Sequence, residues 1–461
     1  MPDILAMARA KSPANAECAF RIGQLIHQAG GRAFLVGGGV RDAMRGVPPV
    51  DLDMELYGLS AEQIIELLSR EFTLNLVGMS FGVIKISGVD VDVSLPRREN
   101  KTGRGHRGFL ITPDSELSPQ DASARRDFTV NAMMWDVFSG ELLDFHGGMN
   151  DLQNGILRHV SPAFVEDPLR VLRGMQFLAR FNFSPAPELI ELCQSMTPEG
   201  LAVERVGAEW EKLLLQGLKP SAGLDFLEQC NWLDYYPELA ALNRCPQYPK
   251  WHPEGNVWRH TLHCLDAAAE LRTGKREDDR IMMLAVLCHD LGKPATTVFE
   301  QDGRITSRGH EEAGADPTRA FIARLWRDAK LADQVVPLVE NHLKPYSFFS
   351  QKASDKAIRR LALKVKRLDL LLAVAQSDSA GRPPTPVDMP PLEWFRHKIE
   401  ELKVADAAPE PLIKGRHLIA FGMKPGRELG EMVHRCYEAQ LDGEFDSPES
   451  ANAYLHKLFS K

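Results

Sequence analysis

The chain is 461 residues long, 44% hydrophobic, and carries a formal net charge of −8 at pH 7. That length buries a sizeable core and divides into roughly two to four domains, while the negative balance excludes a protein that binds nucleic acid by bulk charge alone. Seven cysteines with no Cys-x-x-Cys pair fit a reducing compartment and exclude a disulfide framework or a zinc ribbon.

Residues 1–30 read as helical, with apolar spacing through Phe20, Ile22, Leu25 and Ile26. Asp3 and the lack of a long apolar run give no sign of a secretory leader, and no segment reaches the length that spans a membrane, so the expected location is the cytoplasm. From 31 to 150 the pattern is α/β, with strand-like runs at 32–36, 52–57, 81–86, 89–94 and 132–136 and a helix near 61–72. From about 151 it turns helical, and 169–181 is the clearest segment. The proline-punctuated stretch 237–253 reads as a linker. Beyond it, 254–400 is mostly helical and holds nearly all the remaining histidines; the prolines after Gly381 mark a break before a small helical tail at 401–461. The fold class is α+β. RNA contact would fall to two basic runs, Arg97, Arg98, Lys101, Arg104 and Arg107, then Arg359, Arg360, Lys364, Lys366 and Arg367; each reads equally as a solvated charged face.

The densest chemistry lies at Phe34-Leu-Val-Gly-Gly-Gly-Val-Arg-Asp42, followed nine residues later by Asp51-Leu-Asp53. A strand runs into three glycines and a helix that starts near Val40; glycine lets a backbone approach a phosphate, and a helix N-terminus favours that anion. Asp51 and Asp53 alternate onto one strand face, and two co-facing carboxylates suit the Mg²⁺ ions of an in-line phosphoryl transfer. In Val89-Asp-Val-Asp-Val-Ser94, Asp90 and Asp92 also share a face, and Asp92 is the preferred third carboxylate. The plainer meaning is the polar side of a half-exposed strand.

Arg125-Arg-Asp-Phe-Thr-Val-Asn-Ala-Met133 places two arginines and a carboxylate before a strand, a pattern able to grip a triphosphate and a ribose. In Glu166-Asp-Pro-Leu-Arg-Val-Leu-Arg173, Pro168 suits a first helical turn, and Asp167, Arg170 and Arg173 follow at three-residue steps along one face. Cytosine and adenine both present an amino donor beside an unprotonated ring nitrogen, whereas uracil and guanine present a carbonyl. One Asp/Arg pair can therefore accept C and A and reject U and G. An exposed ion pair is the commoner meaning of that spacing.

These motifs, in this order, resemble class II tRNA nucleotidyltransferases, which comprise CCA-adding enzymes and bacterial poly(A) polymerases; the resemblance covers roughly 30–235. It implies a five-stranded nucleotidyltransferase head with a small mixed sheet (1–150), an all-helical neck (151–236) and a templating pocket made of protein. It further implies that Gly38 and Arg41 contact the NTP, Asp51 and Asp53 bind Mg²⁺, and Asp92 is the third acidic residue. Arg126 would grip the nucleotide, with Asp127 near the ribose; Asp167 and Arg170 would read the base edge, supported by Arg173. Gln176 stands where some relatives continue the arginine series.

A second constellation follows. His260, Cys288-His289-Asp290-Leu-Gly-Lys293, Gly309-His310-Glu311, Asn341-His342 and Ser377-Asp378 combine imidazoles and carboxylates that suit transition metals. A lone histidine is usually structural; an adjacent His-Asp pair with further histidines and a distal Asp is not so easily dismissed. The set resembles the HD superfamily of metal-dependent phosphohydrolases (237–400 here). That resemblance implies His260, His289, Asp290 and Asp378 as core ligands of a divalent transition metal or Mg²⁺, His310 and His342 as the extra ligands of two-metal members, and Lys293 as a phosphate contact. The arrangement as a whole is that of multifunctional bacterial CCA proteins. It implies an enzyme that adds CCA to tRNA 3′ ends from CTP and ATP, with a phosphodiesterase and phosphatase activity behind it. The rival readings are a poly(A) or A-only polymerase, and an HD phosphohydrolase whose head merely binds RNA; the intact Asp51/Asp53 pair counts against the second.

Overall fold

The computed structural model describes residues 2–78, 82–101 and 109–460, which form two compact units, Met1–Tyr235 and Tyr236–Lys461. The first thirty residues form two helices, Ile4–Arg9 and Pro13–Gln28, because Pro13 cannot continue a helix but suits the first turn of one. The sheet of the first unit is built from β1 (Arg32–Val36), β2 (Leu52–Tyr57), β3 (Leu74–Asn75), β4 (Val83–Ile86), β5 (Val91–Ser94), β8 (Met134–Asp136) and β9 (Leu142–Leu143), in the order β3-β4-β5-β2-β1-β8-β9. A separate hairpin pairs β6 (Arg97–Lys101) with β7 (Phe109–Pro113). The sheet is mixed, with β2 and β5 parallel and the other pairs antiparallel. It has seven strands where five were expected; the two outermost, β3 and β9, are two residues long and carry little sequence signal.

Alternation along β2 sets up everything that follows. Leu52, Met54 and Leu56 enter the core formed with the helices Pro13–Gln28 and Ala61–Ser69. Asp53 and Glu55 therefore face the other way. The latter helix starts with a Ser60/Gln63 capping box.

The expected strand at 132–136 begins only at Met134, because a one-turn helix, Thr129–Ala132, precedes it. Local polar bonds outweigh the strand propensity of Val130 there: the Asp127 carboxylate accepts from Phe128 N–H and Asn131 Nδ2, and Thr129 Oγ1 donates to Asp151. The helix Leu169–Phe181 packs on the helices Val203–Gln216 and Pro220–Gln229 to complete this unit.

In the second unit the helix Leu368–Ala380 is buried on nearly every side, through Leu370, Leu371, Leu372, Val374 and Ala375, which makes it the central element. It packs against Val257–Glu270 and Arg276–Cys288, and the latter against Ala329–Val339. The expected linker at 237–253 is in part a helix, Pro237–Asn243, opened by Pro237 in its first turn. The tail has its own small apolar core, with Ile413, Leu418, Cys436, Phe445 and Leu455 wholly or nearly buried. Among the described residues, no helix is long and apolar enough to cross a membrane.

The second basic run is not a free cationic surface. Arg360 pairs with Glu438 and Asp442, Lys364 with Glu340, and Arg367 with Asp278 and Asp369. Acidic groups, most of them distant in sequence, thus pair with three of its five cations. Of the first run, the side chains of Arg98, Lys101, Arg104 and Arg107 lie outside the described residues.

Candidate active sites

At the end of β1 the chain turns at Gly37, whose φ of 71° a side chain rarely tolerates, and enters the helix Gly38–Met44. Gly37 also faces the metal-ligand candidates: a Cβ there would stand 3.7 Å from Asp53 Oδ2. Register then aligns the carboxylates. Asp53 on β2 lies opposite Val36 on β1 and Asp92 on β5, and Asp92 lies opposite Lys85 on β4. Of the two candidates for a third carboxylate, Asp92 is the one that lies beside Asp53; Asp90 precedes β5 and is exposed. Asp51, in the bend before β2, adds its charge to the pair. Partial desolvation, then the charges of Asp92 and Asp51, push the Asp53 carboxyl above its usual range, against the pull of Arg126 and Lys85. Lys85 Nζ lies 2.9 Å from Asp92. Three carboxylates from neighbouring segments, one of them partly desolvated, make a donor set that a divalent cation fits.

Around this row the arginines are held in place. Arg126 donates to Glu55 and, at 3.2 Å, to the Asn131 carbonyl. Glu55 is the next same-face residue after Asp53 on β2, so the alternation that places Asp53 also carries this orienting carboxylate, which the sequence alone did not single out. Arg41 is 4% exposed; it clasps Asp42 through two 2.9 Å bonds, donates to Asn131 Oδ1 at 2.8 Å, and lies 4.5 Å above the Phe181 ring. Phe128, wholly buried against Phe164 and Phe177, anchors the Arg125-Arg-Asp run to the helix Leu169–Phe181.

The expected base-reading trio is dispersed among other partners. Asp167 Oδ2 accepts from Arg205 at 2.9 Å. Arg170 donates to the carbonyls of Ala163 (2.8 Å) and Arg125 (2.7 Å). Arg173 pairs with Asp127, Nε to Oδ2 at 2.7 Å. Burial works to raise the Asp127 carboxyl, but Arg173, Asn131 and the Phe128 N–H outweigh it and hold it below the usual range. Asp127 is therefore tied into the protein's own network. Arg205 was not anticipated; it comes from a helix 38 residues beyond Asp167, with no local pattern to announce it.

In the second unit, helix ends converge. His260 lies in the first turn of Val257–Glu270, His289 caps Arg276–Cys288, Asp290 follows it, and Asp378 lies in the last turn of Leu368–Ala380. His310 opens a one-turn helix, and His342 follows Ala329–Val339. All six expected residues come together, each 8% exposed or less.

Outer partners fix the rings. Nδ1 of His289, His310 and His342 lies 2.7, 2.8 and 2.7 Å from the carbonyl oxygens of Val286, Ser307 and Val339, so each donates from Nδ1. His260 Nδ1 faces Glu254 Oε1 at 2.9 Å and the Gly381 carbonyl at 3.1 Å. The Nε2 atoms therefore turn inward onto other acceptors: His260 to Asp378 at 3.0 Å, His289 to Asp290 at 3.2 Å, His310 to Asp290 at 3.3 Å and to His342 Nε2 at 3.4 Å. Lone pairs facing lone pairs repel unless positive charge lies between them. His289 Nε2 and Asp290 Oδ1 are buried with no hydrogen-bond partner among the described residues.

Negative charge gathers here: against the pull of burial, Cys264, Asp378 and Glu254 hold the His260 pKa well above the usual value, and a divalent ion would take the place of that proton at Nε2. Burial, then the neighbouring His289, push His342 down to about 4, which keeps it a neutral ligand at pH 7. The donor set falls into two halves, His260 with His289 and Asp378, and Asp290 with His310 and His342, and suits one or two divalent ions. Lys293 Nζ, expected to meet a phosphate, lies 2.7 Å from both Asp290 Oδ2 and Gln247 Oε1. A cleft of about 960 Å³ opens over the cluster, walled by Trp251, Tyr346 and Arg382. Glu254 and Gln247 were not foreseen. The first sits in the conspicuous His252-Pro-Glu run; the second had no signal.

Residues 33–158 match the poly(A) polymerase head domain family and residues 257–374 the HD domain family. Over 363 residues the chain is 35% identical to a multifunctional CCA protein of Pasteurella multocida, covering 76% of this chain and 84% of the relative. The corresponding protein of Xanthomonas campestris pv. campestris is 36% identical over 367 residues, covering 76% and 85%. The fold is that of the Bacillus stearothermophilus CCA-adding enzyme solved with CTP, with a TM-score of 0.65 at 22% identity over 96% of this chain and 97% of that one.

Proposed function

This chain belongs to the multifunctional CCA protein family, and on that premise we propose that it adds cytidine and adenosine from CTP and ATP to the 3′ end of tRNA, and that its HD domain hydrolyses phosphate esters. The observation that carries the first activity is the side-by-side placement of Asp53 and Asp92 beneath the Gly37 turn. Mg²⁺ held by Asp51 and Asp53, with Asp92 beside them, would align the tRNA 3′-hydroxyl with the α-phosphate and take up the charge of departing pyrophosphate. The protein's own groups do the positioning. Arg126, fixed by Glu55, and Arg41, fixed by Asp42 and Asn131, meet the triphosphate as preoriented donors. Gly38, opening the helix, leaves room for a phosphate close to the backbone. Asp167 and Arg170 form the base-reading edge, and their bonds to Arg205 and to two carbonyls make that edge rigid. Arg173 supports it through Asp127.

In the HD cluster, His260, His289, Asp290 and Asp378, with His310 and His342, would hold divalent transition metal or Mg²⁺, which lowers the pKa of a bound water to make a nucleophile. Lys293, steadied by Gln247, would meet the phosphate. Seven buried, unpaired cysteines fit action in the cytoplasm.

The deciding experiment supplies labelled CTP, ATP, UTP and GTP with Mg²⁺ to tRNA that ends at the discriminator base. Addition of two C and one A, then arrest, establishes the reading. Long A tails or A-only addition would replace it with the polymerase alternative. No incorporation, with hydrolysis of a 2′,3′-cyclic nucleotide intact, would leave only the phosphohydrolase.

A further inference from the structure

We propose that Cys264 is a metal ligand of the HD cluster, a thiolate beside His260, His289 and Asp378 that biases the site toward thiophilic divalent ions. Cys264 follows His260 by one helical turn in Val257–Glu270, so the two side chains share a face. Both are fully buried, and Sγ lies 3.4 Å from His260 Nε2. One ligand atom from each of His260, Cys264, His289 and Asp378 lies within 4.8 Å of all the others. With metal–nitrogen and metal–sulfur bonds of about 2.0 and 2.3 Å, two ligands of one tetrahedral ion stand roughly 3.5 Å apart. The thiol and the imidazole already have that spacing.

The thiol is also penned in. Gly381, just past the helix that carries Asp378, lies so close that a Cβ there would stand 2.2 Å from Sγ and 3.0 Å from His260 Cε1. Any other residue would push the pair apart. A second feature points independently to a ligand at this spot: His289 Nε2, in a residue 1% exposed, has no hydrogen-bond partner among the described residues and belongs to the same set.

The chemistry balances simply. The thiol loses its proton to solvent as the sulfur–metal bond forms, and the ion takes the place of that proton. Imidazole and carboxylate donors accept many divalent ions, Mg²⁺ and Mn²⁺ included, whereas a thiolate selects softer ones such as Zn²⁺ and Cd²⁺. The inference rests on metal binding by the HD cluster and is independent of whether that cluster hydrolyses anything.

The test is a Co²⁺ titration of the full chain, following the near-ultraviolet absorption that only thiolate-to-cobalt charge transfer produces, with bound Co²⁺ counted by equilibrium dialysis. The wild type should develop the band, and Cys264→Ser and Cys264→Ala should lose it while keeping the wild-type circular dichroism. Zn²⁺ affinity should fall at least tenfold in both variants, with Mn²⁺ affinity little changed. A band that survives in Cys264→Ser assigns another cysteine and overturns the proposal. Bound Co²⁺ without a band removes Cys264 but leaves the HD metal site standing. Bound Co²⁺ and the band both unchanged in Asp378→Asn would place the ion outside this donor set and overturn the proposal.

Discussion

Arg173→Met isolates the ion pair that joins the Arg125-Arg-Asp run to the neck helix. Methionine keeps most of the aliphatic stem and deletes the guanidinium, which leaves Asp127 with the Phe128 N–H and Asn131 alone. Removing one partner of a buried pair costs about 3–5 kcal/mol; the Arg173 side chain is 33% exposed, so water recovers part of that and the lower end, about 3 kcal/mol, applies. For a unit of this size, ending at Tyr235, each kcal/mol lowers Tm by about 2–4 °C, which gives a fall of roughly 6–12 °C. Calorimetry of the full chain reads it, in the transition that added CTP raises, since a ligand stabilises only the unit that binds it. The pH dependence supplies a second check. Asp127 titrates below its usual value in the folded state, so its contribution is fully present above about pH 4, the unfolded carboxylate value, and is lost as pH falls through the folded value. The gap between wild type and variant should therefore close in acid. A loss under about 0.5 kcal/mol at pH 7, where ordinary surface changes fall, or a gap that persists undiminished below pH 3, would refute the assignment of this pair as the joint.

Three further outcomes follow from the two sites. Asp53→Asn should abolish nucleotide incorporation and leave cyclic-nucleotide hydrolysis unchanged; loss of both would mean the sites are not independent. Asp290→Asn, by the same pair of assays, should stop hydrolysis and spare incorporation. Glu254→Gln keeps an acceptor on His260 Nδ1 but removes its charge, so HD-site metal affinity by calorimetric titration should drop about 10–100-fold; unchanged affinity would show that the Gly381 carbonyl alone orients the ring.

Both sites were legible wherever function follows from short-range pattern. The alternation of β2 announced the face that carries Asp53 and Glu55, and the glycine run announced the turn before it, because strand period and left-handed backbone are local properties; Asp51, expected on the same strand face, lies in the bend before β2 instead. The HD cluster was legible for a different reason: an adjacent His-Asp pair with further histidines and a distal Asp in this order resembles the HD superfamily, and that resemblance named six residues spread over more than a hundred positions that the fold gathers.

What stayed hidden is the set of partners. Spacing suggested that Asp167, Arg170 and Arg173 share one helical face and invited pairing among them; Asp167 instead lies in extended backbone before the helix, which starts only at Leu169. Each instead bonds to a group far along the chain: Asp167 to Arg205, Arg170 to the Arg125 carbonyl, Arg173 to Asp127. An i,i+3 ion pair on an exposed helix is worth only a few tenths of a kcal/mol, whereas an enclosed, charge-assisted bond to an oriented partner is worth about 1.5–3 kcal/mol. Where tertiary packing brings such a partner within reach, it wins, and the local pattern misleads. The run Arg359–Arg367 shows the same dependence on partners: Glu438 and Asp442 pair with Arg360, Glu340 with Lys364 and Asp278 with Arg367, contacts that the sequence around them does not announce. Facing direction can be read from a sequence because it is set within one element; pairing cannot, because it is settled between elements. Asp167 and Arg170 are therefore held by residues from outside the helix Leu169–Phe181, and Arg205, Ala163 and Arg125 are where the rigidity of this corner originates.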